Sequence, residues 1–230
     1  MKTTFKEERA KLSDMNMKEK LQHIWEYYKI QIAGTLIAVL AVGTLVNIWF
    51  INPPAGTYLY IAWQGQPVMH ESLDNLGDRL SQIVSDGNDQ VVQVNPYILN
   101  PNDPEMFMGV QARLMGMITV GDLDLFIMDR EGLYSNARGG LLRPACDMAS
   151  ALAETDVDLY NEINNRMVAV TFSPEEGQPP ITDTLAISLY GSPLLESAGI
   201  HSDGLYLGMV ANSNRFYEVS KALHMFMLQV

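Results

Sequence analysis

From Ile30 to Ile51 the chain carries no charged residue, and the first basic residue beyond that run is Arg79. A helix of this length rises about 33 Å at ~1.5 Å per residue, enough to cross a hydrocarbon core of about 30 Å. Just before it, Met17, Leu21, Ile24, Trp25 and Tyr28 fall on one helical stripe. Asn16 can cap that helix, with Glu19 three residues on as in a capping box. Beyond Pro53-Pro54 the hydrophobic period alternates between two and 3.6. Strands are predicted at 57–63, 91–94, 123–128, 167–172, 185–189 and 205–210. Helical faces are predicted through Leu73, Leu76, Leu80, Ile83 and Val84, through Met106, Phe107, Val110, Leu114 and Met115, and through Phe216, Val219, Leu223, Phe226 and Met227. Shorter helical pieces fill 141–165, and Ser192 with Pro193 opens another.

Strands separated by helices predict an α/β class. The expected architecture is one N-terminal transmembrane helix followed by a single three-layer α/β/α ectodomain with a mostly parallel sheet. The divisions are a cytoplasmic head at 1–29 with its juxtamembrane amphipathic helix, the transmembrane helix at 30–51, and the extracytoplasmic domain at 52–230. The unbroken apolar run Leu125-Phe126-Ile127-Met128 suits a strand buried on both faces. Val91 and Leu123–Met128 are therefore expected in adjacent parallel strands.

Charge orients this plan. The first 29 residues hold seven basic and five acidic side chains, whereas the remainder holds eight basic and 22 acidic. Basic residues flanking only the N-terminal side put the head in the cytoplasm and the C-terminal domain outside the cell membrane. A cleaved signal peptide is the competing reading. Against it stand the long charged region, the long apolar core and Asn52-Pro53-Pro54 where small residues would precede cleavage. The bilayer is thus one expected partner, and nucleic acid is excluded by a domain of net charge −14. Gly34 and Ala38 form a small-xxx-small pair through which a homodimer can form in the membrane.

The search for chemistry returns little. His23, His70, His201 and His224 are scattered without metal-binding spacing, so no metal and no cofactor are expected. Gly191-Ser192-Pro193 lacks a nucleophile elbow, and Ser192 reads as a helix cap. Asp86-Gly87-Asn88-Asp89 lacks the bidentate glutamate of a calcium loop. The methionine pairs Met106/Met108, Met115/Met117 and Met225/Met227 read as core filler, and Cys146, the single cysteine, as a small buried hydrophobe. No catalytic residue is assigned. Open α/β sheets place ligands at the carboxyl ends of their strands. The residues leaving the first and central strands there are Trp63 and Gln64, and Asp129 and Arg130. These four are the candidate binding residues, with Trp63 beside Gly65 as a surface for close approach and Arg130 as an anion contact. Asp122, Asp124 and Asp129 bracket the central strand, where at least one caps or turns the chain.

Three segments carry a resemblance. Gly121-Asp122-Leu123-Asp124-Leu125-Phe126-Ile127-Met128-Asp129 with Leu141-Leu142-Arg143-Pro144, then 185–191, then 205–213, are similar to stretches of extracytoplasmic solute-binding proteins. The head, with Met17, Lys18, Glu19, Lys20, Leu21, Trp25, Tyr27, Tyr28 and Lys29, resembles uncharacterised single-pass membrane-anchored proteins of Gram-positive gut anaerobes. The resemblance implies one lobe of a binding protein that ordinarily has two, and so recognition of a membrane or cell-surface protein or a glycan. The expected function is a membrane-anchored extracytoplasmic binding or assembly module. Alternatives are an anchored hydrolase acting on cell-wall material and an accessory subunit of a membrane transporter.

Overall fold

The computed structural model of the chain describes residues 16–51, 56–84, 90–97, 103–152, 156–175 and 177–227. The expected turn at Asp86–Asp89, the segment Asn52–Pro54 and the head before Asn16 lie outside them. The chain divides into two units, Met1–Pro54 and Ala55–Val230.

The first unit is built on helix α1 (Met17–Val46), which passes into a π-turn at Asn47–Ile51. The Asn16 side chain accepts the Met17 N–H at 2.8 Å at the start of this helix. The amphipathic stripe and the apolar run are therefore one uninterrupted helix. Its Lys29–Phe50 span is long and apolar enough to cross a membrane. Thr35 and Thr44 fold their hydroxyls back onto the carbonyls of Gln31 and Leu40, so both are satisfied within the helix.

The second unit is a mixed α/β domain. Its strands are β1 (Gly56–Gln64), β2 (Gln90–Pro96), β3 (Leu125–Met128), β4 (Met167–Phe172), β5 (Ile181–Ser188) and β6 (Tyr206–Met209). Its helices are α2 (His70–Val84), α3 (Pro104–Val120), α4 (Arg130–Arg138), α5 (Ala145–Ala149), α6 (Val157–Arg166), α7 (Pro193–Ser197) and α8 (Phe216–Met227). The six strands form one sheet in the order β2-β1-β3-β6-β5-β4. Strand β1 pairs parallel with β2 and β3, while β3–β6, β6–β5 and β5–β4 are antiparallel. Four of the six strands thus share a direction, and the C-terminal half of the sheet zigzags.

One expectation is corrected here. Val91 and Leu123–Met128 are not in adjacent strands, because β1 lies between β2 and β3. The reason is legible in burial. Residues Leu59–Trp63 are apolar without interruption and buried, as a central strand requires, whereas β2 alternates valine with Gln90, Gln93 and Asn95 and takes the edge. The core itself splits by the strand period. Leu59, Ile61 and Trp63 pack against α2, α5, α6, α7 and α8, while Tyr60 and Ala62 pack with Leu114 and Ile118 of α3 and Leu133 and Ala137 of α4. Phe126 and Ile127, one in each cluster, are both fully buried.

Three side-chain expectations also change. Cys146 is exposed, because α5 turns Ala145, Met148 and Ala149 inward and leaves Cys146 on its outer face. Met225 and Met227 do fill the core, but Met106, Met108 and Met115 are exposed. Helix α3 buries Leu114 and Ile118 instead, a narrower stripe than the periodicity suggested. Ser192 starts α7 by position, yet its hydroxyl donates to the Phe226 carbonyl at 2.8 Å and ties α7 to α8.

Helix α2 lies close on the sheet edge at Gly77, where an added Cβ would stand 2.9 Å from the Val92 carbonyl oxygen. Ser81 makes the same approach polar: its hydroxyl donates to the Gly77 carbonyl and accepts the Val92 N–H, each at 2.7 Å. Alanine at 77 gains about 0.5–1 kcal/mol of helix propensity but overpacks a backbone contact, which costs about 1–3 kcal/mol. Gly77→Ala should therefore lower the thermal unfolding midpoint followed by circular dichroism. A raised midpoint would mean that α2 does not lie this close to β2.

Candidate functional site

The carboxyl ends of β1, β2 and β3 face the same way, because β1 is parallel to both neighbours. Register sets the residues there: Gln64, the last of β1, pairs with Met128, the last of β3, and Trp63 pairs with Pro96 of β2. A cleft of about 500 Å³ opens at this edge. It is lined from β1 and its loop by Gln64, Gly65, Gln66 and Pro67, from the ends of β2 and α3 by Tyr97 and Phe107, and from the start of α4 by Asp129, Glu131, Gly132, Ser135 and Asn136. Its size falls within the range of small-molecule sites.

The floor is polar. Gln64 and Asn136 are 9% and 5% exposed, and Asn136 Nδ2 donates to Gln64 Oε1 at 2.6 Å. Asn136 Nδ2 also approaches Met128 Sδ at 3.4 Å. The bond between them leaves hydrogen-bonding capacity of both amides for whatever occupies the cleft. On one side stands Asp129, whose Oδ1 accepts the Gly132 N–H at 2.9 Å and caps α4. On the other, the Tyr97 hydroxyl lies 3.0 Å from that of Tyr60 and donates to Met117 Sδ at 2.8 Å. Burial, then the Tyr60 hydroxyl, push the Tyr97 phenol well above its ordinary value, against the Arg113 guanidinium 5.5 Å over its ring. Tyr97 therefore serves as a neutral wall.

The four predicted binding residues fare differently. Gln64 and Asp129 line the cleft. Arg130 is exposed at the first position of α4 and is not among the lining residues. Trp63 is 1% exposed, its indole N–H donating to the Gln66 carbonyl at 2.9 Å. It shapes the Gln64–Pro67 loop from beneath rather than meeting a ligand. Gly65 is small because the Trp63 ring and Leu205 crowd it, with a would-be Cβ 2.9 Å from Leu205 Cδ2. Asn136 escaped the sequence reading. Its signal was a polar residue on the α4 stripe formed with Leu133 and Ala137. A second cavity of about 490 Å³ lies around Tyr190, Glu196 and His201. Its buried polar group, Ser202, is already spent accepting the Gly191 N–H at 2.9 Å. Among the described residues no group of three or more His, Cys, Asp or Glu is placed to hold a metal ion.

Comparison with protein-family models, curated proteins and solved structures finds no match.

At the opposite end of β3 sits a buried carboxylate, Asp124. Its Oδ2 accepts the Tyr60 N–H at 2.9 Å and Arg215 Nη1 at 3.1 Å, and its Oδ1 accepts the Ser213 hydroxyl at 2.8 Å. Arg215 Nη1 also donates to the Tyr58 carbonyl at 3.0 Å. Burial raises the Asp124 carboxyl above the ordinary range, and the Tyr60 N–H, Ser213 hydroxyl and Arg215 charge only partly offset it. A carboxyl with a raised pKa holds its proton more tightly folded than unfolded. Its contribution to stability is therefore full below the unfolded value and is lost as pH rises through the folded value. As pH rises past the ordinary carboxyl value of about 4, wild type should lose stability relative to Asp124→Asn, and Arg215→Ala should enlarge that loss. At neutral pH Arg215→Ala should cost about 1–3 kcal/mol, since it leaves a buried carboxylate short of a donor. Denaturant unfolding across that rise in pH measures both, and a wild-type advantage that grows with pH would contradict the assignment.

Proposed function

We propose that this chain is a membrane-anchored extracytoplasmic binding module of the kind a single solute-binding lobe suggests. In this reading residues 30–51 cross the bilayer, the N-terminus is cytoplasmic, and a three-layer α/β/α domain outside captures a small polar ligand. The observation that carries it is the cleft at the carboxyl edge of β1–β3, floored by the buried Gln64–Asn136 pair. Polar groups that remain incompletely paired at the base of an open cleft are what specific recognition uses. Met106 and Met108, either side of Phe107 in the sequence, are exposed apolar residues on α3.

A hydrolytic reading has one observation in its favour, the two carboxylates Asp129 and Glu131 on the cleft wall. Asp129 already spends an oxygen capping α4, and no histidine, cysteine or lysine is among the described lining residues. General acid–base work needs a proton donor and an acceptor held apart in their environments. Binding is therefore the better account of the site.

Ser135 is exposed and lines the cleft, so Ser135→Trp should fill it without disturbing the core. The full chain purified in mild detergent should retain a small molecule, identified by mass spectrometry, that the Ser135→Trp chain lacks. Identical retained molecules in both would retire the cleft as the site. The anchor is tested separately. Protease added outside intact cells should digest the domain after residue 52 and spare residues 1–29. A reporter fused after Val230 that is active only in the cytoplasm would reverse the orientation.

A further inference from the structure

Gln64 closes β1 and Asn136 sits on the buried stripe of α4, so two amide side chains meet where strand and helix converge. Asn136 Nδ2 carries two hydrogens, and both have neighbours: Gln64 Oε1 at 2.6 Å and Met128 Sδ at 3.4 Å. What is left over is an acceptor, Asn136 Oδ1, and the N–H donors of Gln64 Nε2. Among the described residues neither has a hydrogen-bond partner, and neither is a sealed atom, since Arg143 Nε alone is both buried and unpartnered. Both residues line the cleft, so a spare donor and a spare acceptor belong to its lining. A group that presents an acceptor and a donor on adjacent atoms answers them, and an amide does so with its C=O and N–H.

Charge narrows the class. Asp129 and Glu131 are the charged side chains among the described lining residues, and both are acidic. They start a helix, but the capping bond to Gly132 uses one Asp129 oxygen and leaves the other free to meet a cation. The rest of the domain reinforces the sign, with eight basic against 22 acidic residues after position 29. Phe107 and Pro67 add apolar lining.

We propose that the cleft binds a cationic primary amide: a carboxamide, whose C=O and syn N–H point the same way, joined closely to an ammonium group and carrying an apolar substituent. The proposal rests on the cleft being a binding site, and specifies what it takes. Gln64 Nε2 donates to the amide carbonyl, Asn136 Oδ1 accepts the amide N–H, and Asp129 with Glu131 holds the ammonium.

Isothermal titration of the full chain in detergent micelles with four probes tests this. L-phenylalaninamide carries both groups, 2-phenylethylamine lacks the amide, 3-phenylpropionamide lacks the ammonium, and L-phenylalanine replaces the amide with a carboxylate. L-phenylalaninamide should bind about tenfold or more tightly than each of the others. Gln64→Glu keeps the oxygen that Asn136 donates to but exchanges the donor nitrogen for an oxygen. It should weaken L-phenylalaninamide about tenfold, although its added charge attracts a cation. Glu131→Gln, at an exposed position, should weaken the three probes that carry an ammonium and spare 3-phenylpropionamide, so the proposal stays testable even if Gln64→Glu does not fold. Equal affinity for L-phenylalaninamide and 2-phenylethylamine overturns the amide assignment, and so does no binding of any probe. If the molecule lost in Ser135→Trp then proves to lack an amide or an ammonium, the class is wrong and the cleft stands. If no such molecule exists and no probe binds, both readings fall.

Discussion

The domain is organised around the backbone and side chain of one buried residue, Asp124. Its N–H donates to the Tyr60 carbonyl at 3.0 Å while its carboxylate accepts the Tyr60 N–H, so it clamps β1 from both directions. Its carbonyl accepts the Val210 N–H at 2.9 Å, joining the far end of β6 on the other side. Ser213 and Arg215, on the same carboxylate, fix the turn that launches α8. One residue therefore sets the start of β3 against β1, β6 and the last helix together. Because strand register propagates without slack, the pairing Gln64 with Met128 at the other end follows from this clamp.

Such a node carries a cost that an apolar residue would not. Burying a carboxylate loses hydration, and the raised pKa is the sign that three donors do not fully replace water. Removing one partner costs more than the intact network contributes, because the remaining charge is left buried. Its gain is specificity of pairing. Strands β1 and β3 are buried and mostly apolar over Leu59–Trp63 and Leu125–Met128, and non-directional apolar burial alone discriminates less sharply between registers two residues apart than a directional hydrogen bond does. A single acceptor aimed at the Tyr60 N–H selects one of them.

Most element types were legible because periodicity is local. Residues 167–172 alternate as an edge strand should, and Leu73, Leu76 and Leu80 of α2 and the stripe of α8 face the core as spaced. Strand order was not legible from the apolar run of β3 alone. The decisive comparison was between β1, uninterrupted from Leu59 to Trp63, and β2, interrupted by Gln93 and Asn95. The methionines of α3 misled because composition says that a residue is apolar, not which way a helix is rolled. At the site, Gln64 and Asp129 followed from the rule that ligands gather at carboxyl edges. Trp63 did not, because whether a strand-end indole points to the rim or the core depends on the Gln66 carbonyl and Leu205, which come from outside its own strand. Asp124 was visible only as one of three acidic residues flanking a strand. Its partners lie 64 to 91 positions away, beyond any local pattern.

The clamp and the cleft stand at opposite ends of β3, five residue steps from Asp124 to Asp129, or roughly 16 Å at about 3.3 Å per step. Sites so separated contribute to stability nearly independently, and Tyr60 touches both, through its N–H at Asp124 and its hydroxyl at Tyr97. The Gln64–Asn136 pair can therefore remain incompletely satisfied without loosening the pairing that holds it in position. A polar floor at the carboxyl edge is tolerable because the registering interaction is made elsewhere, on the same strand. That division leaves the polar edge around Gln64, Asp129 and Asn136 free of any registering duty, while Asp124, Ser213 and Arg215 keep the strands in place.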